Sequence, residues 1–589
     1  MKKRRLRMAV GIVMTAVLLG GCAGGTKNEN AAGDQTGLTG ENITEETAIA
    51  ETATEGTATE ESIAGEEGTD NGEYPGTADS KGMQVLPDSD MECTMGNDMA
   101  CDDNLYGYDP GYYDPWYGYD PNPGNTEEYA QIIENEFIQA KEQPLSTFSA
   151  DVDTASYSNV RRMLLDGYEL SWIPKDSVRI EEMLNYFHYD YQGPEEGEPF
   201  GVNTQFSVCP WNTENYVLMV GLQTEAVDFS EAAPSNLVFL IDVSGSMYDE
   251  NKLPLLQQSF ALLAQNLTAK DRVSIVTYAG EDCVVLRGVQ GNDTETILNA
   301  LGSLEASGST NGSAGIETAY ELAEEYFIPG GNNRVILATD GDLNVGLTTE
   351  EELERLITKK KDSGVYLSVL GFGMGNIKDN KMELLADKGN GNYAYIDSLN
   401  EARKVLVEEM GATLATVAKD VKLQMEFLPD AVESYRLIGY ENRALETEDF
   451  KDDTKDAGEI GAGHSVTVLY EIVPNRNDGK NRTTWSTLHI RYKEPDEERS
   501  RQLDYRIGAG QLTRKPSEDL TFACCVAEFG MLLRDSGYSG TASYSGILET
   551  LSELSCVKTD SYKAEFRDLV QQAMYRESAV VWPCTGDQW

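Results

Sequence analysis

Histidine is almost missing from this chain: His188, His464 and His489 are the three in 589 residues. A serine or cysteine nucleophile needs a neighbouring base, and histidine is the usual one. Between Tyr189 and Gly463 there is none, so histidine-assisted catalysis has no local partner there. Bases are scarce too. Forty-seven Lys and Arg face 100 Asp and Glu, a formal net charge of −53. Such a balance disfavours nucleic acid and anionic lipid surfaces as partners and suits divalent cations. Nine cysteines are present, but no two stand as C-x-x-C, so zinc-ribbon spacing is absent. Long apolar runs are absent but for one stretch at the start.

That stretch is "MKKRRLR" followed by "MAVGIVMTAVLLGG", a basic head and an apolar segment short for a membrane span. It closes on Leu19-Gly20-Gly21-Cys22, which resembles the bacterial lipobox. The resemblance implies a lipoprotein signal peptide over residues 1–22 and diacylation of Cys22. The mature protein is then extracytoplasmic and held to the membrane by its lipid. Residues 23–126 are expected to be a disordered tether. Its first part, 23–104, carries 20 acids against Lys27 and Lys81 and few large apolar residues, too few to order a core. Tyr-Asp-Pro then recurs at 108–110, 113–115 and 119–121, either a turn-rich linker or an aromatic sticker for a partner. The compartment permits disulfides, with Cys93–Cys101 and a bridge among Cys524, Cys525, Cys556 and Cys584 as candidates. Cys283 is expected to be a buried free thiol.

Folded sequence starts near Glu127. Residues 127–234 read as an N-terminal module. "EEYAQIIENEF" (127–137) has helical periodicity, and helices are predicted over 156–165 and 176–187, the latter capped by Asp176 or Ser177. Residues 201–225 alternate as two antiparallel strands. From 235 to 411 near-continuous apolar runs ("NLVFLIDVS", "RVSIVTYA", "NRVILATDG", "VYLSVLGFG") alternate with helical periods. Strands like these are buried on both faces, as in a doubly wound α/β sheet. "CVVLRGV" (283–289) follows its neighbour too closely for a crossover and reads as an antiparallel edge. Residues 412–515 show period-2 strands without helices, an antiparallel β-sandwich that 201–225 completes, the α/β domain being inserted. Residues 516–589 turn helical and read as a small cap.

The first α/β strand runs into Asp242-Val243-Ser244-Gly245-Ser246. A loop before a later helix, "GSTNGSAG", carries Thr310, and the fourth strand, "NRVILATDG", ends in Thr339-Asp340-Gly341. In open parallel sheets ligands bind at the carboxyl ends of strands, where strand order reverses. Three hydroxyls and two carboxylates, without nitrogen or sulfur, suit a hard cation: Mg2+, or Mn2+ or Ca2+. Gly245 is expected to let the loop turn tightly. This D-x-S-x-S, Thr, Asp-Gly set resembles the metal-ion-dependent adhesion site (MIDAS) of von Willebrand factor type A (VWA) domains. The resemblance implies direct metal contact by Ser244, Ser246 and Thr310, with Asp242 and Asp340 acting through water. It also implies an open metal position for a partner's carboxylate and movement of the threonine loop and the last helix, near 399–411. Helix capping by the serines is the plainer alternative. "PLSTFSADVDTASYSNVRRML", "VRIEEMLNYFHYDY" and residues 415–576 further resemble the YfbK-like VWA lipoproteins.

Other signals are weaker. Asp151 and Asp153 fail EF-hand spacing and read as turn or capping acids. "GFGMGN" (371–376) departs from G-x-G-x-x-G and reads as a rim turn. No nucleophile elbow is present, and no enzymatic activity is expected. The sequence therefore points to a binding protein that captures an acidic residue of a protein partner through the metal. An envelope scaffold with a structural metal, and last a metal-dependent hydrolase, are the alternatives. A tether glutamate is a candidate internal pseudo-ligand for the open metal position.

Overall fold

A computed structural model of the chain describes residues 125–580, apart from 151–152, 227–232, 280, 309–312, 342–349, 362, 410–414, 477–482, 496 and 498. Cys22 and the tether up to residue 124 lie outside the described residues. The described residues belong to one compact unit that begins at Asp109. Their strands are β1 (Ile138–Gln139), β2 (Leu145–Ser149), β3 (Gly201–Val208) and β4 (Tyr216–Gln223). Then come β5 (Ser235–Asp242), β6 (Arg272–Ala279), β7 (Glu281–Gln290), β8 (Asn332–Thr339), β9 (Tyr366–Phe372) and β10 (Tyr393–Ile396). The last are β11 (Thr416–Phe427), β12 (Val432–Ile438), β13 (Ile460–Gly461), β14 (Ser465–Pro474), β15 (Thr484–Lys493) and β16 (Arg501–Gly508).

The middle six make one sheet in the order β10-β9-β8-β5-β6-β7. All its pairs are parallel except β6 with β7. Side chains alternate across β5. Leu237, Phe239 and Ile241 pack with Leu256 and Phe260 of the helix Leu253–Ala264. Val238 and Leu240 pack on the other face with Ile316 and Tyr320 of the helix Ser313–Glu325. Burial on both faces is why the run "LVFLI" is continuous rather than alternating. From β5 the chain goes to β6 on one side and later returns to β8 on the other. The β5–β8 border is thus the switch point of a doubly wound α/β domain. Strand β7 is the antiparallel edge that the sequence predicts, but its Cys283 is exposed, not buried.

The remaining strands form two antiparallel sheets, β1-β12-β14-β4-β3 and β13-β11-β15-β16, with β2 on the free side of β11. Strand β4 pairs with β14 across the inserted domain. Leu218, Val220 and Leu222 face a core shared with Leu423, Met425 and Ile490 of the second sheet. Val217 and Met219 face the other way, into a layer of helices that includes Ala155–Leu165, Ile180–Asn185, Glu518–Arg534 and Ser561–Val580. The C-terminal helices are therefore not a cap by themselves; helices from both ends of the chain make the layer.

Other expectations are corrected too. Residues 127–137 are not helical. Glu128 forms a parallel bridge with Lys378, its amide bonds Ile377 O at 2.9 Å, and the Ile132 amide is taken by Asp176. Ile133, which a helix would bury, is 78% exposed. Residues 176–187 break into a 3-10 turn, Lys175–Ser177, and the helix Ile180–Asn185, which neither Asp176 nor Ser177 caps. Asp153 does not cap either: it accepts the Tyr393 amide at 2.9 Å and pairs with Arg443 at 3.0 Å. Asp151 lies outside the described residues. Cys524, Cys525 and Cys556 are free thiols, and the other candidate bridging cysteines lie outside the described residues.

Candidate metal centre

Asp242 ends β5, and Asp340 directly follows β8, the strand beside it, where Ile241 faces Ala338. Both carboxylates are fully buried. One Asp242 oxygen accepts the Ser244 amide at 2.8 Å and the other the Thr339 hydroxyl at 3.3 Å. The first acid therefore fixes the loop that carries the serines. The Ser244 and Ser246 hydroxyls lie 2.9 Å apart, and Ser246 is near enough to Asp340 to favour its charged form. Ser244 is buried and Ser246 exposed, so the group opens to solvent on one side. Ser244 opens a 3-10 turn, Gly245–Tyr248, without a capping bond, and the following helix has Lys252 at its cap position. The serines are thus not helix caps.

Two backbone bonds strap a second loop onto this one: Gly245 N–H to Gly308 O at 3.1 Å and Ser307 N–H to Val243 O at 2.8 Å. Thr310 itself lies outside the described residues. Gly245 needs no special backbone freedom, because an added Cβ would meet Gly308 O at 3.4 Å, an ordinary contact. The demanding glycine is Gly341. Its φ is +103°, and a Cβ there would stand 2.7 Å from Ile377 Cα. This lets the rim turn after β9 press against Asp340.

The two acids differ in charge state. Burial pushes Asp242 up to about 6, and the Asp340 charge adds to the rise. Burial also works to raise Asp340, but hydrogen bonding from Asn376 and the Lys252 ammonium outweigh it and hold Asp340 below the ordinary carboxylate range. Lys252 Nζ lies 2.9 Å from Asp340 and 3.4 Å from Asn376 Oδ1. Sequence reasoning missed Lys252 and Asn376. The available signals were a lone base in the acidic stretch "YDENK" and a polar residue closing the rim turn "GFGMGN". Asp242, Ser244, Ser246 and Asp340 converge on one point, and their all-oxygen donors fit a hard cation. Among the described residues no cluster of three or more His, Cys, Asp or Glu gathers as a metal site. Half of this group's donors are hydroxyls.

Comparison with known proteins gives the class first. Residues 236–408 match the family model of the von Willebrand factor type A domain. Residues 123–219 match one described as von Willebrand factor. This is a VWA-domain protein. Residues 412–575 match a third model, described as the C-terminal part of uncharacterized protein YfbK. Over 477 residues the chain is 41% identical to uncharacterized protein YfbK of Escherichia coli (strain K12), covering 77% of this chain and 82% of that one. The chain belongs to the YfbK family. It is also 28% identical over 166 residues to inter-alpha-trypsin inhibitor heavy chain H3 of Homo sapiens, 27% of this chain and 18% of that one. A solved von Willebrand factor type A protein from Catenulispora acidiphila matches 68% of this chain and 93% of its own at 16% identity, with a TM-score of 0.39.

Proposed function

We propose that this protein is a lipid-anchored, extracytoplasmic binding protein. It captures a carboxylate-bearing protein partner through a divalent ion, Mg2+ or else Mn2+ or Ca2+, held by Asp242, Ser244, Ser246, Thr310 and Asp340. The observation that carries this reading is the 2.9 Å pairing of the Ser244 and Ser246 hydroxyls between two buried acids, on the solvent side of the sheet's switch point. Neutral hydroxyls leave a dication undercompensated, so it retains affinity for an outside carboxylate. No bond is broken in this mode of action. The reading is tested by pull-down from envelope extract. Capture should be lost in EDTA and in Asp242→Ala; capture that persists in both sinks it.

The burial of both acids supports a second reading, an envelope scaffold whose metal is structural. In that case Asp242→Ala lowers the melting temperature and spares capture. The tether remains a candidate internal pseudo-ligand. The amide of Thr126, the last tether residue, donates to Gly375 O at 2.7 Å, one residue from Asn376. Tighter partner binding after deletion of residues 23–104 would support that role; unchanged affinity would refute it.

A further inference from the structure

Lys252 is placed against its local interest. It occupies the cap position of the helix Leu253–Ala264, where the helix dipole disfavours a cation. Its side chain is 7% exposed, and burying an ammonium is costly unless it is paired. Its backbone is fixed by Lys252 N–H to Asp249 O at 3.0 Å and Leu256 N–H to Lys252 O at 2.9 Å. The stem lies in a slot left by Gly373. A Cβ at 373 would sit 2.3 Å from Lys252 Cε and 2.5 Å from Cγ, and the φ of +74° is itself a glycine conformation. The slot delivers Nζ to Asp340 Oδ2 at 2.9 Å, with Asn376 as second acceptor. One of the two buried acids, Asp340, thus has an ammonium from its own domain as counter-ion.

We propose that Lys252 is an internal counter-cation that holds Asp340 in place without metal and competes with the divalent ion for it, so that Lys252 sets the metal affinity of the site. The inference rests on the metal reading above. A single carboxylate cannot serve an ammonium and a dication at full strength, because the two cations repel at such range. Loading therefore moves the ammonium off Asp340, and the site trades affinity for reversibility. The burial of the stem beside Gly373 makes this a property of lysine at 252 rather than of general surface charge.

The test is Mn2+ titration of the full mature chain in detergent, with free Mn2+ read by electron paramagnetic resonance, beside melting in EDTA. Lys252→Met keeps the stem and removes the charge. It should bind Mn2+ at least about tenfold more tightly than wild type, the scale of one like charge within a few ångströms. It should also melt lower in EDTA and recover when Mn2+ is added. Lys252→Gln serves the same purpose should the methionine variant not fold, and Asp242→Ala is the control that abolishes binding. Equal or weaker Mn2+ affinity in the folded Lys252 variants, with wild type binding and Asp242→Ala not, overturns the role of Lys252 and leaves the metal reading standing. Absence of Mn2+ binding in every protein overturns both.

Discussion

The proposed metal edge and the seam between the α/β domain and the rest of the body treat buried charge in opposite ways. At the edge, Asp340 is paired with Lys252, while Asp242 is held by the Ser244 amide and the Thr339 hydroxyl. Along the seam the α/β domain offers acids and the surrounding body offers arginines. Arg179 meets Asp379, with its own neighbour Glu182 alongside. Arg161 meets Asp397, and Glu401 at 2.7 Å. Arg443 meets Glu383 at 2.8 Å, and Asp387. Guanidinium forks match carboxylates in fixed geometry, whereas an ammonium is a compact point charge that a metal ion can replace. The seam is built to stay closed; the edge, on the proposed reading, exchanges one cation for another. Glu401 lies in the helix Leu399–Arg403, part of the element that VWA relatives are expected to move. Here the Tyr186 hydroxyl also holds Glu401, at 2.8 Å. Movement of that helix would have to break the seam first.

The largest expected effect tests the seam. Arg179→Met leaves Asp379 and Glu182 buried without their guanidinium, which costs about 3–5 kcal/mol. Urea unfolding of the variant should show it. A loss under about 1 kcal/mol would mean the seam behaves like a surface and would erase the contrast.

The next effect separates the two acids by pH. Folded Asp242 titrates near 6, above its ordinary 3.8. The folded state therefore holds a proton that the unfolded state has released, and stability falls as pH rises through that window. In EDTA, Asp242→Asn removes this slope. Its stability relative to wild type should improve by at most about 3 kcal/mol between pH 4 and pH 7. Oδ1 of the asparagine can still accept the Ser244 amide. A difference that is flat with pH would show Asp242 ionised throughout.

Metal addition comes third. At a hundredfold excess over its dissociation constant, a ligand that binds only the folded state stabilises it by about 2.7 kcal/mol. Wild type should gain this with Mg2+ or Mn2+ at neutral pH, and Asp242→Ala should gain nothing. An equal gain in both would place the ion elsewhere.

What could be read beforehand follows from the range of the forces involved. Strand β5 announces itself because both faces are apolar, and its acid announces the site because no local rule puts Asp242 after "LVFLI". Strand β12, "VESYRLI", went unread because charged Glu433 and Arg436 interrupt it. Arg436 is buried there by pairing with Glu471 at 3.2 Å, 35 residues away, and with Glu134 at 3.6 Å, far off in sequence. Residues 127–137 deceived for the same reason. Their spacing suits a helix, but Asp176 and the loop around Ile377 take their amides. The Lys252–Asp340 pair spans 88 residues and depends on a missing Cβ at Gly373, which no spacing encodes.

The smallest stability effect carries the sharpest functional contrast. Tyr248 is 79% exposed, two residues past Ser246, while its neighbour Met247 is fully buried. The turn is thus anchored by the methionine and leaves the phenol to solvent. Removing an exposed ring changes stability by no more than about 0.5 kcal/mol. Tyrosines at the centre of an interface, however, commonly account for more than about 1 kcal/mol of binding. Tyr248→Ser should therefore melt like wild type, bind Mn2+ like wild type, and capture the envelope partner several-fold more weakly in Mg2+. The three readouts divide the edge into parts. Loss of Mn2+ affinity would make Tyr248 part of the ion's own support. Unchanged capture would put the partner on the far side of Ser246, towards the loop at Gly308.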